Sequence, residues 1–117
     1  MSPQLIDHFR NPRNVGELPA PAVTIEVSNP ICGDILELSA RLESGLILEA
    51  RFRTRGCVTA MACSSLLTEL LRGKTLAEAR GITAEQISQD LGGLPPATLH
   101  GAQLARDAVQ ALVAKLS

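Results

Sequence analysis

Aromatic side chains are nearly absent from this chain. Among its 117 residues there is no tryptophan and no tyrosine, and Phe9 and Phe52 are the only phenylalanines. Aliphatic side chains must therefore build the hydrophobic core, and a chain of this length can bury one without disulfides. We expect one domain that spans residues 1–117.

An excess of charge and long apolar runs are also missing. The net charge of −1 at pH 7 gives no electrostatic signature of binding to nucleic acid or an anionic membrane. No apolar run approaches the ~20 residues of a membrane span, and no basic-then-apolar signal peptide follows Met1. We therefore expect a cytoplasmic protein with neither nucleic acid nor a membrane as a partner. In that compartment the three cysteines are more typical of free thiols or metal ligands than of disulfides.

Three segments alternate apolar and polar residues with the period of a β-strand, at 23–28, 36–42 and 48–53. The rest of the second half has helical patterns instead. Because the strands come first and the helices follow without βαβ alternation, we predict an α+β fold. Its sheet is a small antiparallel three-stranded meander with the helices packed on one face.

The serine–glycine pair at 44–45 predicts a hairpin between the second and third strands. A three-residue loop would pair Glu43 with Ile47. In that register Arg41 faces Glu49, and facing opposite charges support it by roughly 0.2–1 kcal/mol. The alternation also predicts that Leu48 faces the core.

The helical half contains one long helix, two short helices and a final long helix. Apolar residues at helical spacing predict the first from about 58 to 72. Capping-box patterns at 75–78 and 83–86 predict the starts of two short helices. The prolines at 95–96 lead into the last helix, which runs to about Lys115.

A short helix is also predicted at the start of the chain. Ser2 and Pro3 are suited to cap and open it, and Leu5, Ile6 and Phe9 form one apolar face. Within it, a histidine at position 8 is interpreted as a structural residue, because its neighbours offer packing partners. An irregular connector, rich in proline and glycine, follows over 10–21.

Candidate metal ligands occur at three places in the sequence. In an extended chain the Cys32 thiol and the Asp34 carboxylate project to the same side and can bind one ion. Gly56 lets the backbone turn sharply before Cys57 opens the next helix, and His100 lies in the first turn of the last helix. If these places meet at one end of the sheet, they offer two sulfur, one oxygen and one nitrogen ligand, a set that suits zinc or iron. The spacing alone leaves open that the cysteines are small buried core residues.

Longer motifs, in order along nearly the whole chain, match those of one protein family. They are Asp7-His8-Phe9, Asn11-Pro12-Arg13-Asn14, Asn29-Pro30-x-Cys32-Gly33-Asp34, Phe52-x-Thr54-x-Gly56-Cys57, Gly73-Lys74-Thr75-Leu76, Leu94-Pro95-Pro96-x-x-x-His100 and Leu104-Ala105-x-Asp107-Ala108. By these motifs the chain resembles the IscU/NifU N-terminal family of iron–sulfur cluster assembly scaffolds.

The resemblance implies a scaffold rather than an enzyme. Such a scaffold accepts sulfur from a cysteine desulfurase and iron from an iron donor, assembles a 2Fe-2S cluster, and passes it to carrier or acceptor proteins. By position, Cys32 and Cys57 match the first two cysteine ligands of the family, while Asp34 and His100 match its assisting aspartate and histidine. Lys74 matches a lysine near the site and is assigned an assisting role, with a structural role as the alternative, since a basic residue just past a helix end also satisfies the helix dipole.

The resemblance also implies a chaperone partner. The segment Leu94-Pro95-Pro96 resembles the part of the scaffold that a dedicated Hsp70-type chaperone reads, although Ala97-Thr98 replaces the usual Val-Lys.

The chain departs from the family at one position, because Gly101 stands where the family has its third cysteine. Cys63 is the remaining thiol. Its helical spacing to Leu66 and Leu67 favours a buried core position, with a replacement ligand as the alternative. Restoring a cysteine at position 101 is predicted to raise cluster occupancy if the family geometry holds.

Three functions stay open at this point. The favoured one is a variant scaffold that binds iron or a 2Fe-2S cluster at Cys32, Asp34, Cys57 and His100. The second is a zinc-binding relative that uses the same residues as an adaptor or regulator of the assembly machinery. The third is a persulfide sulfur acceptor, which the loss of the third cysteine disfavours.

Overall fold

The centre of the molecule is an antiparallel meander of three strands. The computed structural model describes residues 2–30 and 33–117. Strands β1 (Val23–Ser28), β2 (Ile35–Glu43) and β3 (Leu46–Arg55) lie in the order β1-β2-β3, so β2 is the middle strand. The predicted three-stranded sheet is confirmed.

The hairpin between β2 and β3 has a tighter turn than the sequence suggested. Glu43 pairs with Leu46 around a two-residue loop, so the predicted three-residue loop is wrong. Ser44 has φ 53° and Gly45 has φ 81°. Two positive φ values are typical of the primed turns that match the twist of the flanking strands.

A β-bulge next to this turn restores the expected register. Arg41 pairs with Glu49 as predicted, but the next pair joins Leu42 to Ile47, which leaves Leu48 as an extra residue in β3. Ile47 is therefore fully buried while Leu48 is 42% exposed. The prediction that Leu48 faces the core is wrong, since the bulge shifts the alternation by one residue.

Within the part of the chain that the structure describes, five α-helices follow the predicted pattern. They are α1 (Pro3–Arg10), α2 (Val58–Leu71), α3 (Leu76–Arg80), α4 (Ala84–Asp90) and α5 (Leu99–Leu116), with a 3-10 turn at Pro96–Thr98. Helices α2 and α5 pack on the sheet, and α1 packs on α2. In the described ranges, no helix is both long and apolar enough to cross a membrane.

The core between the sheet and the helices is mainly aliphatic, as the composition requires. Phe52 from β3 and Leu38 from β2 are almost completely buried there, together with Leu67 from α2 and Leu112 from α5. Cys63 lies in the same cluster.

The first helix turns a different face to the core than the sequence suggested. Leu5 and His8 are buried, whereas Ile6 is 36% and Phe9 is 40% exposed. The predicted apolar face is confirmed for Leu5 but wrong for Ile6 and Phe9, because His8 has polar partners on α2 that make its burial favourable.

The irregular connector after α1 covers the free edge of β3. The Asn14 carbonyl accepts a hydrogen bond from the Phe52 amide at 2.9 Å, and the Gly16 amide donates to the Phe52 carbonyl at 2.8 Å. Farther along, the Leu18 amide donates to the Ser39 hydroxyl at 3.1 Å, on the sheet face opposite the helices. The connector therefore joins β3 as a short parallel partner and then crosses the sheet.

Candidate metal centre

Three of the predicted ligands meet at one end of the sheet. The ligand atoms of Asp34, Cys57 and His100 all lie within 4.8 Å of one another. Cys57 Sγ is 3.6 Å from Asp34 Oδ2 and 3.7 Å from His100 Nε2. The third side of the triangle, from His100 Nε2 to Asp34 Oδ2, is 3.8 Å.

These spacings suit one small metal ion. Zinc bonds of about 2.0–2.3 Å in tetrahedral geometry separate neighbouring ligand atoms by about 3.3–3.8 Å. The three observed separations of 3.6, 3.7 and 3.8 Å fall within this range. An ion can therefore contact all three atoms with shifts of a few tenths of an ångström.

The loop before β2 holds Asp34. The Asn29 amide donates to the Asp34 carbonyl at 2.8 Å, and the Gly33 amide donates to the Asn29 carbonyl at 2.7 Å. Gly33 has φ 74°, which favours glycine. These bonds close the connection between β1 and β2 and leave Asp34 only 5% exposed.

Gly56 makes room for the Asp34 carboxylate. A Cβ built on Gly56 would lie 2.5 Å from Asp34 Oδ1 and 2.6 Å from its Cγ. Any other residue at this position would have to displace the carboxylate. The sequence interpretation gave Gly56 a backbone role only, and the steric role was missed because it depends on a contact across 22 residues of chain, from position 34 to 56.

Cys57 is the N-cap residue of α2. Its Sγ accepts a hydrogen bond from the Ala60 amide at 3.4 Å, in place of the usual cap oxygen. This bond fixes the side chain toward the helix N-terminus, and Cys57 remains exposed. The thiol is thus both held in place and open to an incoming ion or partner.

His100 reaches the same point from the first turn of α5. Its side chain is 31% exposed. The segment before the helix is anchored by Leu94, which is 9% exposed and whose amide donates to the Ser88 hydroxyl at 2.8 Å. Thr98 closes the 3-10 turn through its hydroxyl, which donates to the Pro95 carbonyl at 2.9 Å.

Two other predicted residues lie away from this group. Cys63 is fully buried in the core, about 9 Å farther along α2 than Cys57. Burial raises the pKa of the Cys63 thiol to about 12, so it stays protonated at neutral pH. The structure therefore supports the interpretation of Cys63 as a core thiol.

Lys74 lies beyond the opposite end of α2, where its carbonyl accepts from the Ile47 amide at 2.8 Å. The 14 residues of α2 separate that end from Cys57 by about 20 Å. The prediction that Lys74 lies near the site is wrong, because α2 runs away from the site between Cys57 and this lysine. Cys32, the fourth predicted ligand, falls outside the described residues.

The fold and this S, O and N ligand group define a small α+β protein with a candidate metal centre at one end of its sheet. The model of the NifU-like N-terminal domain matches residues 1–117. The chain belongs to this family.

Two named relatives are similar over nearly their whole length. The iron-sulfur cluster assembly scaffold protein IscU of Azotobacter vinelandii is 47% identical over 116 residues, which cover 96% of this chain and 90% of that protein. The protein of the same name from Escherichia coli is 42% identical over 117 residues, covering 97% and 91%.

Solved structures share the fold. An N-terminal NifU-like protein from Brucella abortus superposes with a TM-score of 0.76 at 18% identity, covering 97% of this chain and 92% of that one. A putative SUF-system scaffold protein from Fervidobacterium islandicum gives a TM-score of 0.64 at 20% identity, covering 97% and 88%. At these identities the likeness confirms the α+β fold alone.

Proposed function

We propose that this chain is an iron–sulfur cluster assembly scaffold that receives iron and sulfide, holds a transient 2Fe-2S cluster and passes it on. The observation that carries the proposal is the triangle of Asp34, Cys57 and His100. The names of relatives at 42% and 47% identity support it. Cys32, two residues before Asp34 in the sequence, is the fourth ligand of this proposal.

The ligand set fits a cluster that must be released again. Thiolate is a soft ligand that matches iron–sulfide, whereas the Asp34 carboxylate is harder and binds such a centre less well. Ligation of iron–sulfur centres by histidine is chemically sound, as Rieske sites show. Among the described ligands, only Cys57 supplies a thiolate, while Asp34 and His100 supply oxygen and nitrogen ligands that bind an iron–sulfur cluster more weakly. This ligand set therefore favours a cluster that is released over a permanent cofactor.

The exposure of the site to solvent also favours a cluster that can be delivered and released. Cys57 is exposed and His100 is half-buried, whereas Asp34 is buried. The cluster position is thus reachable from solvent on the cysteine side. The cysteine desulfurase, the iron donor and the cluster acceptors implied by the family resemblance can approach there, and the protein itself needs no catalytic turnover.

Anaerobic reconstitution with iron and sulfide tests the proposal. We expect visible charge-transfer absorption in the wild type and its loss in Cys57→Ser. Cys63→Ala is the matched control, since it removes the other described thiol from the same helix but lies in the core. Absorption that survives Cys57→Ser, or that depends equally on Cys63, would contradict the proposal.

A zinc-binding adaptor of the assembly machinery is the second candidate. It is favoured by the near-tetrahedral spacing of the three ligand atoms and by the four ligands that result when Cys32 is included. Metal analysis of the purified protein separates the two functions. One tightly held zinc that iron and sulfide do not displace would support the adaptor and contradict the scaffold.

A further inference from the structure

Gly101 is a glycine that the backbone does not require. It lies in the first turn of α5, is buried, and is not among the glycines with positive φ. Alanine is better than glycine in a helix interior by about 1 kcal/mol. The reason for a glycine at this position must therefore be space.

The missing side chain allows α5 to approach α2. A Cβ built on Gly101 would lie 3.1 Å from Thr59 Cγ2 and 3.2 Å from the Ala60 nitrogen, closer than the 3.4–4 Å of ordinary van der Waals contact. Thr59 is only 8% exposed and the Ala60 nitrogen is backbone, so neither can move away freely.

The turn of α2 that lies against Gly101 is also the turn that holds the Cys57 thiol. Ala60 donates its amide hydrogen to Cys57 Sγ, and His100 immediately precedes Gly101. The separation of the two helix N-termini at Gly101 is thus coupled to the 3.7 Å distance between His100 Nε2 and Cys57 Sγ. A side chain at position 101 would push the His100 turn away from the Cys57 turn.

We propose that Gly101 is a positioning residue, which seats the first turn of α5 on the first turn of α2 and so places His100 within ligand distance of Cys57 and Asp34. This inference rests on the proposed metal site. It also reverses the expectation for Gly101→Cys, because a cysteine introduces the same Cβ into the same contact. The variant would gain a thiol, but the new Cβ would move His100 away from Cys57 and Asp34.

Gly101→Ala tests the proposal, with Co²⁺ alone as the metal probe under anaerobic conditions. We expect Co²⁺ affinity, followed by thiolate-to-cobalt absorption, to fall about 10–100-fold, the range seen when groups that orient metal ligands are lost. The matched control is Gly81→Ala, because a Cβ there meets only carbonyl oxygens at 3.4 and 4.0 Å. We expect the control to bind Co²⁺ like the wild type.

A rescue variant separates positioning from general damage. Thr59→Ser in the Gly101→Ala background removes the methyl group of the closest contact but leaves the two backbone contacts. We expect it to recover part of the Co²⁺ affinity. If Gly101→Ala does not fold, this double variant replaces it and must still bind more weakly than the wild type.

A second readout uses the metal-free protein. Nuclear Overhauser contacts between the His100 ring and the Cys57 β-protons should be present in the wild type and weakened in Gly101→Ala. Wild-type affinity together with unchanged contacts in Gly101→Ala would overturn the positioning role and leave the proposed function standing. A wild type that binds no Co²⁺ would instead contradict the proposed metal site, and the contacts would still decide the role of Gly101.

Discussion

The two histidines of the chain both contact α2, yet their surroundings are opposite. His100 lies at the N-terminus of the helix, with its side chain 31% exposed and Nε2 facing a thiol and a carboxylate. His8 lies against the middle of the helix and is 7% exposed. Its Nδ1 is 2.8 Å from the Ser65 hydroxyl, and its Nε2 is 3.3 Å from Glu69.

Both ring nitrogens of His8 already face polar partners. The Arg13 amide donates to the Ser65 hydroxyl at 2.9 Å, so Ser65 can give its own hydrogen to His8 Nδ1. His8 Nε2 then carries the ring hydrogen and lies 3.3 Å from Glu69 Oε1. Both histidines contact the same helix, so that contact does not identify a metal ligand. His100 is the candidate ligand because its Nε2 faces a thiol and a carboxylate.

The sharpest test of this contrast is metal affinity. His100→Ala should weaken Co²⁺ binding by about 100-fold or more, since losing even a group that orients a ligand costs roughly 10–100-fold. His8→Ala should leave the affinity unchanged, because its nitrogens face Ser65 and Glu69 and lie away from the centre. Titration of both variants with Co²⁺ measures the effect. Equal losses of affinity in the two variants would contradict the assignment of His100, and not His8, as a metal ligand.

The free energy of unfolding should respond in the reverse order, with His8→Ala more destabilising than His100→Ala. His8→Ala should lower the free energy of unfolding by about 2 kcal/mol, because the buried Ser65 hydroxyl loses its acceptor and packing is lost. His100→Ala should stay within about 0.5 kcal/mol of the wild type in the metal-free protein. Urea unfolding of both variants measures the difference. A larger loss in His100→Ala would mean that His100 is structural.

The oxygen side of the centre can be tested without touching a ligand. Gly56→Ala should displace the Asp34 carboxylate, because the new Cβ would lie 2.5 Å from Oδ1, and should weaken Co²⁺ binding by about 10-fold. Gly81→Ala again serves as the control. Unchanged affinity in Gly56→Ala would show that Asp34 does not contribute to the centre.

The smallest expected effect is a pH dependence of stability that comes from His8. Burial, and then the charge of Arg13, hold the pKa of His8 below its ordinary value of 6.5, against the opposing charges of Glu69 and Asp7. The folded state therefore takes up the proton less readily than the unfolded state. Its contribution to stability is complete above pH 6.5 and is lost as the pH falls through 6.5 toward the lower folded-state value.

Unfolding curves at pH 7.5 and 5.5 measure this contribution. The stability loss between the two values should be smaller in His8→Asn than in the wild type, since the variant has no titrating ring at position 8. An equal loss in both proteins would assign the pH dependence to other groups.

Much of the fold follows from local patterns in the sequence. The alternation of apolar and polar residues predicted all three strands, and the capping pattern at 75–78 predicted α3, where Thr75 and Glu78 form both bonds of the capping box. An error arose where one inserted residue shifts the alternation between the bulge and the turn. The bulge at Leu48 exposes that residue, which was predicted to face the core, and buries Ile47 instead, because side chains alternate with a period of two.

Three residues of the candidate site could be singled out from the sequence, but their spacing could not. Residue types near strand and helix ends indicated Asp34, Cys57 and His100. The roles of Gly56 and Gly101 depend on how closely distant segments approach, with built Cβ atoms only 2.5–3.2 Å from their neighbours, which no local pattern records. The position of Lys74 was predicted wrongly because a match to a family motif does not show in which direction α2 runs between Cys57 and this lysine.

The connector along β3 has a consequence for how molecules of this protein meet one another. An open strand edge offers unpaired amides and carbonyls to another chain, and this is how many β-proteins aggregate. Here the amide and carbonyl of Phe52 are already bonded to Asn14 and Gly16 of the same molecule. At the opposite edge the Lys115 ammonium group donates to the Thr24 carbonyl at 3.1 Å. The connector and Lys115 thus occupy, on each edge of the sheet, backbone groups with which another chain could otherwise pair, while the thiol at the end of the sheet stays accessible.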